Sequence, residues 1–298
     1  MNVNHHEIDI SNPDKLIFPN DKITKKDLVE YYQRISKYIL PYMKNRPITM
    51  QRFPDGIEES GFYMKDAPDY FPQWIDRIEV EKKGGGLNHH VACNQEASLV
   101  YIANQACITP HLFLSKKGHL SQPDRMVFDF DPSTKNYQLV KKAALALKGV
   151  LDEYDIQSYV MNTGSEGIHV IVPLEETMDF DEVRDLARIF AEKTVDTSPD
   201  DFTLEQRKEK RGKKVFIDIL RNAYGQTSVA PYALRAKNGG PVATPLTWQE
   251  LSHKSFDPQK YTIKNIFKRL GQIDQPWSSF HQTSNHLKKI YNKLRHES

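Results

Sequence analysis

The chain has 298 residues, 39% hydrophobic and 27% charged, which is enough to bury a domain-sized core and excludes a disordered chain. Its formal net charge of +2 announces no polyanion partner, and no apolar run approaches the roughly 18 residues of a membrane span. The opening MNVNHHEIDI lacks a basic region followed by an apolar one, and Cys93 and Cys107 are the only cysteines, so the expectation is a cytoplasmic protein with two reduced thiols.

In chain order, ITKKDLVEYYQRISKYIL predicts a helix opening at Thr24, with Leu28, Tyr32, Ile35 and Ile39 at helical spacing. PITMQRF predicts a strand. FYMKDAPDYFPQW, rich in aromatics and prolines, predicts a loop, and KKGGGLNHH a flexible turn. EASLVYIANQA predicts a helix and RMVFDFD a buried strand. NYQLVKKAALALKGVLDEY predicts a helix with Leu139, Ala143, Leu147, Val150 and Tyr154 on one face. QSYVMNTGSEGIHVIVPL reads as strand, tight turn and strand, and FDEVRDLARIFAEKTV as a second amphipathic helix. A charged linker with a short helix follows, then KVFIDILRN, a strand placing Phe216, Asp218 and Leu220 on one face. Interleaved helices and strands predict an α/β or α+β core. Positive charge concentrates at 207–214, RKEKRGKK, and in the tail HLKKIYNKLRH. Each alone reads as a solvated face; together they permit a nucleic-acid surface.

Asp129 and Asp131 lie inside an apolar strand. Alternation puts Met126, Phe128 and Phe130 on one face and both carboxylates on the other, about 7 Å apart along the strand. Unpaired buried charge is costly, so a cation should sit over them or the strand end should be open. Asp218 is a third strand aspartate. Hard divalent cations take such oxygen ligands, and two of them can activate an attacking hydroxyl and stabilise a leaving oxygen in phosphoryl transfer. D-x-D alone is also common at exposed strand ends; the third aspartate makes it more specific. In TGSEGIH, Gly164 and Gly167 allow close backbone approach, Ser165 offers a hydroxyl, successive N–H groups can cradle phosphate, and His169 can donate to one. Taken alone, the stretch reads better as an ordinary hairpin with a satisfied histidine. Thr163 rules out a nucleophile elbow, and no G-K-[ST] makes a P-loop. A zinc site drawn from His89, His90, Cys93, Cys107 and His111 lacks the close C-x-x-C pairs of zinc ribbons.

Taken together, PDRMVFDFDP, TGSEGIHVIVPL, VFIDILRNAYGQTSVAPYALRA and GFYMKDAP resemble, in that family's terms, the motifs of the polymerase domain of bacterial DNA ligase D, a nonhomologous end-joining polymerase of the archaeo-eukaryotic primase superfamily. The resemblance runs from about NPDKLIFP to PLTWQEL. It implies an α+β fold, a primase-polymerase-like core with central β-sheets flanked by helices. It implies a single catalytic domain over 1–298, with a DNA-end-binding portion at about 1–110, metal and nucleotide motifs at about 111–240, and a C-terminal helical tail at about 248–298. Asp129 and Asp131 would bind both metals, Mn²⁺ or Mg²⁺, and Asp218 the catalytic one. Ser165, Gly167 and His169 would hold the incoming ribo- or deoxynucleoside triphosphate, with His111 contacting the nucleotide and Arg52 and Arg235 contacting nucleotide phosphate or template. Lys15 and Lys25 would grip a 5′-phosphate of broken DNA, and Phe62, Tyr63 and Lys65 form a DNA-contacting loop. The sequence departs from the family at Glu166, Gln51 and Tyr63, which stand where a lysine, a basic residue and a phenylalanine are common.

The expected activity is template-directed nucleotidyl transfer that fills gaps and extends 3′ ends at double-strand breaks, on DNA ends and gapped duplexes, in the nucleoid. Rivals are a stand-alone primase, a metal-dependent nuclease and a catalytically silent DNA-end-binding module. Nucleotidyl ligases need K-x-D-G; RFPDG has Phe53 in the lysine's place, so a separate ATP-dependent DNA ligase and a Ku-like protein are expected partners.

Overall fold

Thr24 opens the helix Lys25–Met43 through a capping box: its hydroxyl accepts from the Asp27 N–H at 3.1 Å, and the Asp27 carboxylate accepts from the Thr24 N–H at 2.7 Å. Leu28, Tyr32, Ile35 and Ile39, the predicted stripe, are all buried. The computed structural model describes residues 1–82, 84–254 and 257–297. Lys83 of the expected turn, and Ser255, Phe256 and Ser298 of the expected tail, lie outside the described residues. The chain forms two compact units. The first comprises Met1–Gly118, Thr227–Ala243 and Tyr261–Phe267; the second comprises His119–Gln226, Thr244–Lys260 and Lys268–Ser298.

In the first unit, PITMQRF forms the strand Ile48–Arg52 within an antiparallel sheet. The sheet order is Thr227–Val229, Cys107–Phe113, Ile48–Arg52, Leu87–Val91 and Arg77–Glu81. Two expectations need correction. FYMKDAPDYFPQW opens with a strand, Phe62–Met64, because these residues pair with Met50–Arg52 before the prolines interrupt the ladder. KKGGGLNHH ends in a strand, because Leu87–Val91 pairs in register with Arg77–Glu81. Gly85 and Gly86, at φ 87° and 83°, turn the chain into that hairpin, a conformation glycine adopts without penalty. The helix Glu96–Asn104 forms where its apolar run predicts it.

The second unit is built on a six-stranded sheet ordered Phe202–Thr203, Val215–Asp218, Arg125–Asp131, Ile168–Pro173, Tyr159–Asn162 and Pro245–Leu246. Only the first pair is parallel. The helices Tyr137–Asp152 and Phe180–Asp196 pack on this sheet and on each other. Ala143, Leu147 and Val150 are buried as the spacing predicts, with Leu139 and Tyr154 half-buried at the ends of the stripe. The architecture is therefore α+β, with central, largely antiparallel sheets flanked by helices. Of the expected tail, Trp248–Ser252, Ile266–Leu270 and Lys288–Glu297 are helical. Among the described residues, no helix is long and apolar enough to cross a membrane.

KVFIDILRN requires a third correction. The strand stops at Asp218, and Leu220–Asn222 forms a 3₁₀ turn, so Leu220 does not continue the strand face. Two side chains cause this. The Asp218 carboxylate accepts from the Leu220 N–H at 2.7 Å. The Asn222 side chain then accepts from the Val127 N–H at 2.8 Å and donates to the Val127 carbonyl at 2.7 Å. It satisfies both backbone groups that a continuing strand would have paired.

Candidate active site

Register brings the three aspartates together. Asp129 pairs directly with Asp218 on one neighbouring strand and with His169 on the other. Paired residues share a face, so these side chains stand in one row. Asp131 lies two residues along the same face as Asp129. One carboxylate oxygen from each of Asp129, Asp131 and Asp218 lies within 4.8 Å of the others.

Asp129 is only 4% exposed, and both of its carboxylate oxygens have partners. One oxygen lies 3.2 Å from His169 Nε2. The other accepts from Arg221 Nε and Nη2, each at 3.2 Å. Burial pushes the Asp129 carboxyl up, but His169 and Arg221 outweigh it and hold the group below the ordinary carboxylate range. Asp131 goes the other way. Burial, followed by the charges of Asp129 and Asp218, pushes it up to about 7. Asp218 is also raised, by burial first and then by Asp129, against the stabilising Leu220 N–H. Of the two expected solutions, a covering cation or an open strand end, Asp129 takes the first through Arg221, which sequence reasoning missed. Continued strand alternation would send Arg221 to the face opposite Asp218; the turn made by Asn222 brings it back. Its only sequence signal is its position three residues after Asp218.

Arg221 and His169 both contact Asp129, and Asp131 and Asp218 stand beside it as half-buried carboxylates. This all-oxygen set fits a hard divalent cation, which would relieve the repulsion that raises Asp131. Among the described residues it is the one cluster of three or more acidic, histidine or cysteine side chains placed to hold a metal ion; the zinc drawing around Cys93 and Cys107 has no counterpart.

The turn 163–167 lies against this site. A Cβ on Gly167 would meet the Phe130 carbonyl at 2.8 Å and Asp129 Oδ1 at 3.4 Å, so only glycine lets the turn approach the aspartate strand this closely. Gly164 adopts φ 65°. The expected N–H cradle needs correction. The Gly164 N–H donates to Asn162 Oδ1 at 3.2 Å, and those of Ser165 and Gly167 donate to Thr163 Oγ1 at 3.3 Å. These donors shape the turn itself. The Ser165 carbonyl accepts from Gln259 Nε2 at 3.0 Å, Ser165 is half-buried, and Glu166 is exposed.

The first unit carries the other candidate residues. Arg52 is 9% exposed, donates through Nε to the Gln105 carbonyl at 2.7 Å, and lies 5.5 Å from the Phe62 ring centroid. Tyr63 meets His111 edge-on at 5.5 Å. Phe62, Tyr63 and Lys65 are exposed. Lys15 Nζ forms a 2.6 Å ion pair with Asp55, and the Lys15 carbonyl accepts from the Lys25 N–H at 2.8 Å. Lys25 is buried, with Nζ donating to Ser11 Oγ at 2.7 Å. Burial, then the charges of Lys15 and Arg52, lower its pKa. The fold thus draws Lys15 and Lys25 together, and among the described residues no carboxylate pairs with Lys25 Nζ. Arg235 stands half-buried on a separate hairpin of this unit, next to the Leu234–Val242 bridge.

A family model for the LigD primase-polymerase domain matches residues 24–277. The chain is 31% identical over 299 residues to the bifunctional non-homologous end joining protein LigD of Bacillus subtilis, covering 99% of this chain and 48% of that protein. It is 29% identical over 262 residues to the multifunctional non-homologous end joining protein LigD of Mycolicibacterium smegmatis, covering 85% of this chain and 34% of that protein. It thus spans half or less of the length of these curated relatives. Its fold is similar to that of the polymerase domain from Mycobacterium tuberculosis Ligase D in complex with DNA, with TM-score 0.85 and 25% identity over 94% of this chain and 99% of that one.

Proposed function

Because the chain belongs to the LigD primase-polymerase domain family, we propose that it is a template-directed nucleotidyltransferase. It fills gaps and extends 3′ ends at double-strand breaks in nonhomologous end joining, acting as one primase-polymerase domain. The observation that carries this reading is the row Asp218, Asp129 and His169 across three strands, with Asp131 beside it and Arg221 on Asp129. Two-metal phosphoryl transfer needs such a cluster of carboxylate oxygens.

In this reading the primer 3′-hydroxyl attacks the α-phosphorus of the incoming nucleotide. A new O–P bond forms, the α–β phosphoanhydride bond breaks, and pyrophosphate leaves. Two Mn²⁺ or Mg²⁺ ions, held by Asp129 and Asp131 with Asp218 on the catalytic one, would supply charge stabilisation for the attacking and leaving oxygens. His169 and Arg221 fix the Asp129 carboxylate. Ser165 and His169 bind the triphosphate, with Gly167 letting their turn lie close. His111, Arg52 and Arg235 contact nucleotide or template. Lys15 and Lys25 bind the 5′-phosphate on the far side of a gap, and Phe62, Tyr63 and Lys65 contact DNA near the break. Positioning and fixed charge do most of the work in such transfers. The partners are DNA ends, a separate ATP-dependent DNA ligase and a Ku-like protein, and the setting is the bacterial nucleoid.

Incubation with a gapped duplex, each metal in turn, and labelled ribo- or deoxynucleotides tests this. Template-matched incorporation is expected. Shortened DNA would indicate a nuclease instead, and binding without incorporation would indicate a silent end-binding module.

A further inference from the structure

Among the described residues, the large apolar side chains left exposed include three aromatic rings, and all three lie between residues 62 and 70 of the first unit. They are Phe62 at 44%, Tyr63 at 60% and Tyr70 at 62% exposure. Phe62 and Tyr63 belong to the loop that the polymerase reading places against DNA. Tyr70 lies beyond that loop and has no part in the reading. Scattered single exposed apolar residues are ordinary, but a patch of them marks a contact surface.

Arg52 joins Tyr70 to Phe62. Its Nη1 donates to the Tyr70 hydroxyl at 3.4 Å, and its Cζ lies 5.5 Å from the Phe62 ring centroid. The same guanidinium is fixed through Nε to the Gln105 carbonyl at 2.7 Å. The Tyr70 ring is also braced against the core. It meets Phe71 edge-on at 5.2 Å, and Phe71, 2% exposed, meets Tyr101 edge-on at 5.0 Å. The backbone is held on both sides of Tyr70. The Ala67 N–H donates to the His89 carbonyl at 2.8 Å, and Arg77 Nη2 donates to the Phe71 carbonyl at 3.0 Å. A tyrosine that only fills space is buried, and a merely solvated one needs no bracing. Tyr70 is exposed yet held by its hydroxyl, its ring and its backbone, which lowers the ordering cost of binding something to it.

The charges beside the ring select the ligand. Lys65, exposed between Tyr63 and Tyr70 in the chain, attracts a nucleic-acid backbone. Asp69, exposed next to Tyr70, disfavours a phosphate at the ring itself. What remains on offer there is aromatic surface, on which any base can stack. Bases inside a duplex are already stacked and present only their edges in the grooves, so the ring suits an unpaired base. We propose that Tyr70 is a further DNA-binding residue, joined through Arg52 to Phe62, that stacks on an unpaired base of a single-stranded overhang. This rests on the polymerase reading above and names a feature of its DNA substrate.

The test is a set of anisotropy titrations with a labelled duplex carrying a short single-stranded 3′ overhang and with the matching blunt duplex, at several salt concentrations. The proteins are the unmutated chain, Tyr70→Ala, Tyr70→Trp and Lys65→Ala, with melting temperatures checking the fold. Tyr70→Ala should weaken overhang binding by roughly fivefold to a hundredfold, the range of one base stacked on an aromatic side chain, and blunt-duplex binding by less than about twofold. Its salt dependence should keep the unmutated slope, because no phosphate contact is lost, whereas Lys65→Ala should flatten the slope. Tyr70→Trp keeps a stacking ring and should retain the overhang preference. A fluorescent purine analogue in the overhang should be quenched by the unmutated protein and not by Tyr70→Ala. Should Tyr70→Ala fold poorly, Tyr70→Leu, which keeps apolar bulk without an aromatic ring, carries the test and should show the same loss. Equal losses on overhang and blunt DNA would overturn the proposal. Unchanged DNA binding by Tyr70→Ala would also overturn it and assign the patch to a protein partner. Nucleotide addition to a primed duplex is followed in parallel. Its absence in the unmutated protein would sink the polymerase reading, while the overhang titrations would still judge Tyr70.

Discussion

Arg221 donates to a single oxygen of Asp129 through two nitrogens, each at 3.2 Å, while Asp131, two residues along the strand, is pushed up to about 7. The three aspartates are therefore not equivalent. Mutual repulsion alone would make removal of any one carboxylate from a crowded anionic site neutral or stabilising without metal. That logic suits Asp131. It does not suit Asp129, whose loss strands Arg221 and His169.

The first prediction follows. Without metal, Asp129→Asn should destabilise the protein by roughly 1–3 kcal/mol, less than the loss of a fully buried pair because the Arg221 side chain keeps 38% exposure. Asp131→Asn should stabilise it above about pH 7, where the native carboxyl is ionised against its neighbours. Urea unfolding of both variants in a chelator, read against the unmutated protein, checks the opposite signs.

pH dependence has a definite direction. Asp131 and Asp218 bind protons more tightly folded than unfolded. Between the ordinary carboxylate range and about 7, the folded state therefore holds more protons, and metal-free stability falls as pH rises. Metal binding runs the other way, because the ligands must be deprotonated. Mn²⁺ affinity should climb with pH up to about 7 and then level off, with proton release on binding below that point. Calorimetric titrations in two buffers of different ionisation enthalpy measure both.

Gly167→Ala should damage the site through sterics alone. The new Cβ would meet the Phe130 carbonyl at 2.8 Å, so the turn or the aspartate strand must shift. The expected cost is about 1–3 kcal/mol of stability. Triphosphate affinity should fall more than DNA affinity, as parallel titrations with labelled nucleotide and labelled duplex would reveal.

Break recognition makes a separate prediction. A 5′-phosphate carries close to two negative charges near neutral pH, an internal diester only one. Lys25 is buried beside Lys15 at the start of a helix, where the dipole also favours an anion. Gapped DNA with a 5′-phosphate should therefore bind more tightly than the same DNA with a 5′-hydroxyl. Lys15→Ala with Lys25→Ala should erase the difference while sparing extension of a simple overhang at saturating DNA. Equal affinities in the unmutated protein, at one fixed salt concentration, would reject the pocket.

Much of this site is legible in the sequence because strands carry it. The period of two puts Asp129 and Asp131 on one face, and the apolar runs around 125–131, 168–173 and 215–218 place the adjacent strands. What escapes is what one side chain does to another element's backbone. Asn222 substitutes for a strand partner of Val127, and that exchange, invisible to periodicity, redirects Arg221. Thr163 and Asn162 likewise capture the N–H groups expected to face phosphate. The Lys25 ammonium donates to Ser11 Oγ, fourteen residues away in sequence, a contact that no periodicity signals.

Asp218 gives the most direct test of the whole account. It faces Asp129 across the strand pair, and its carboxylate accepts from the Leu220 N–H at 2.7 Å. Labelled-nucleotide incorporation on a gapped duplex, with saturating Mn²⁺ and DNA, should be robust for the unmutated protein and abolished for Asp218→Ala, with DNA binding retained. Near-normal extension by Asp218→Ala would contradict the assignment of this triad as a polymerase centre.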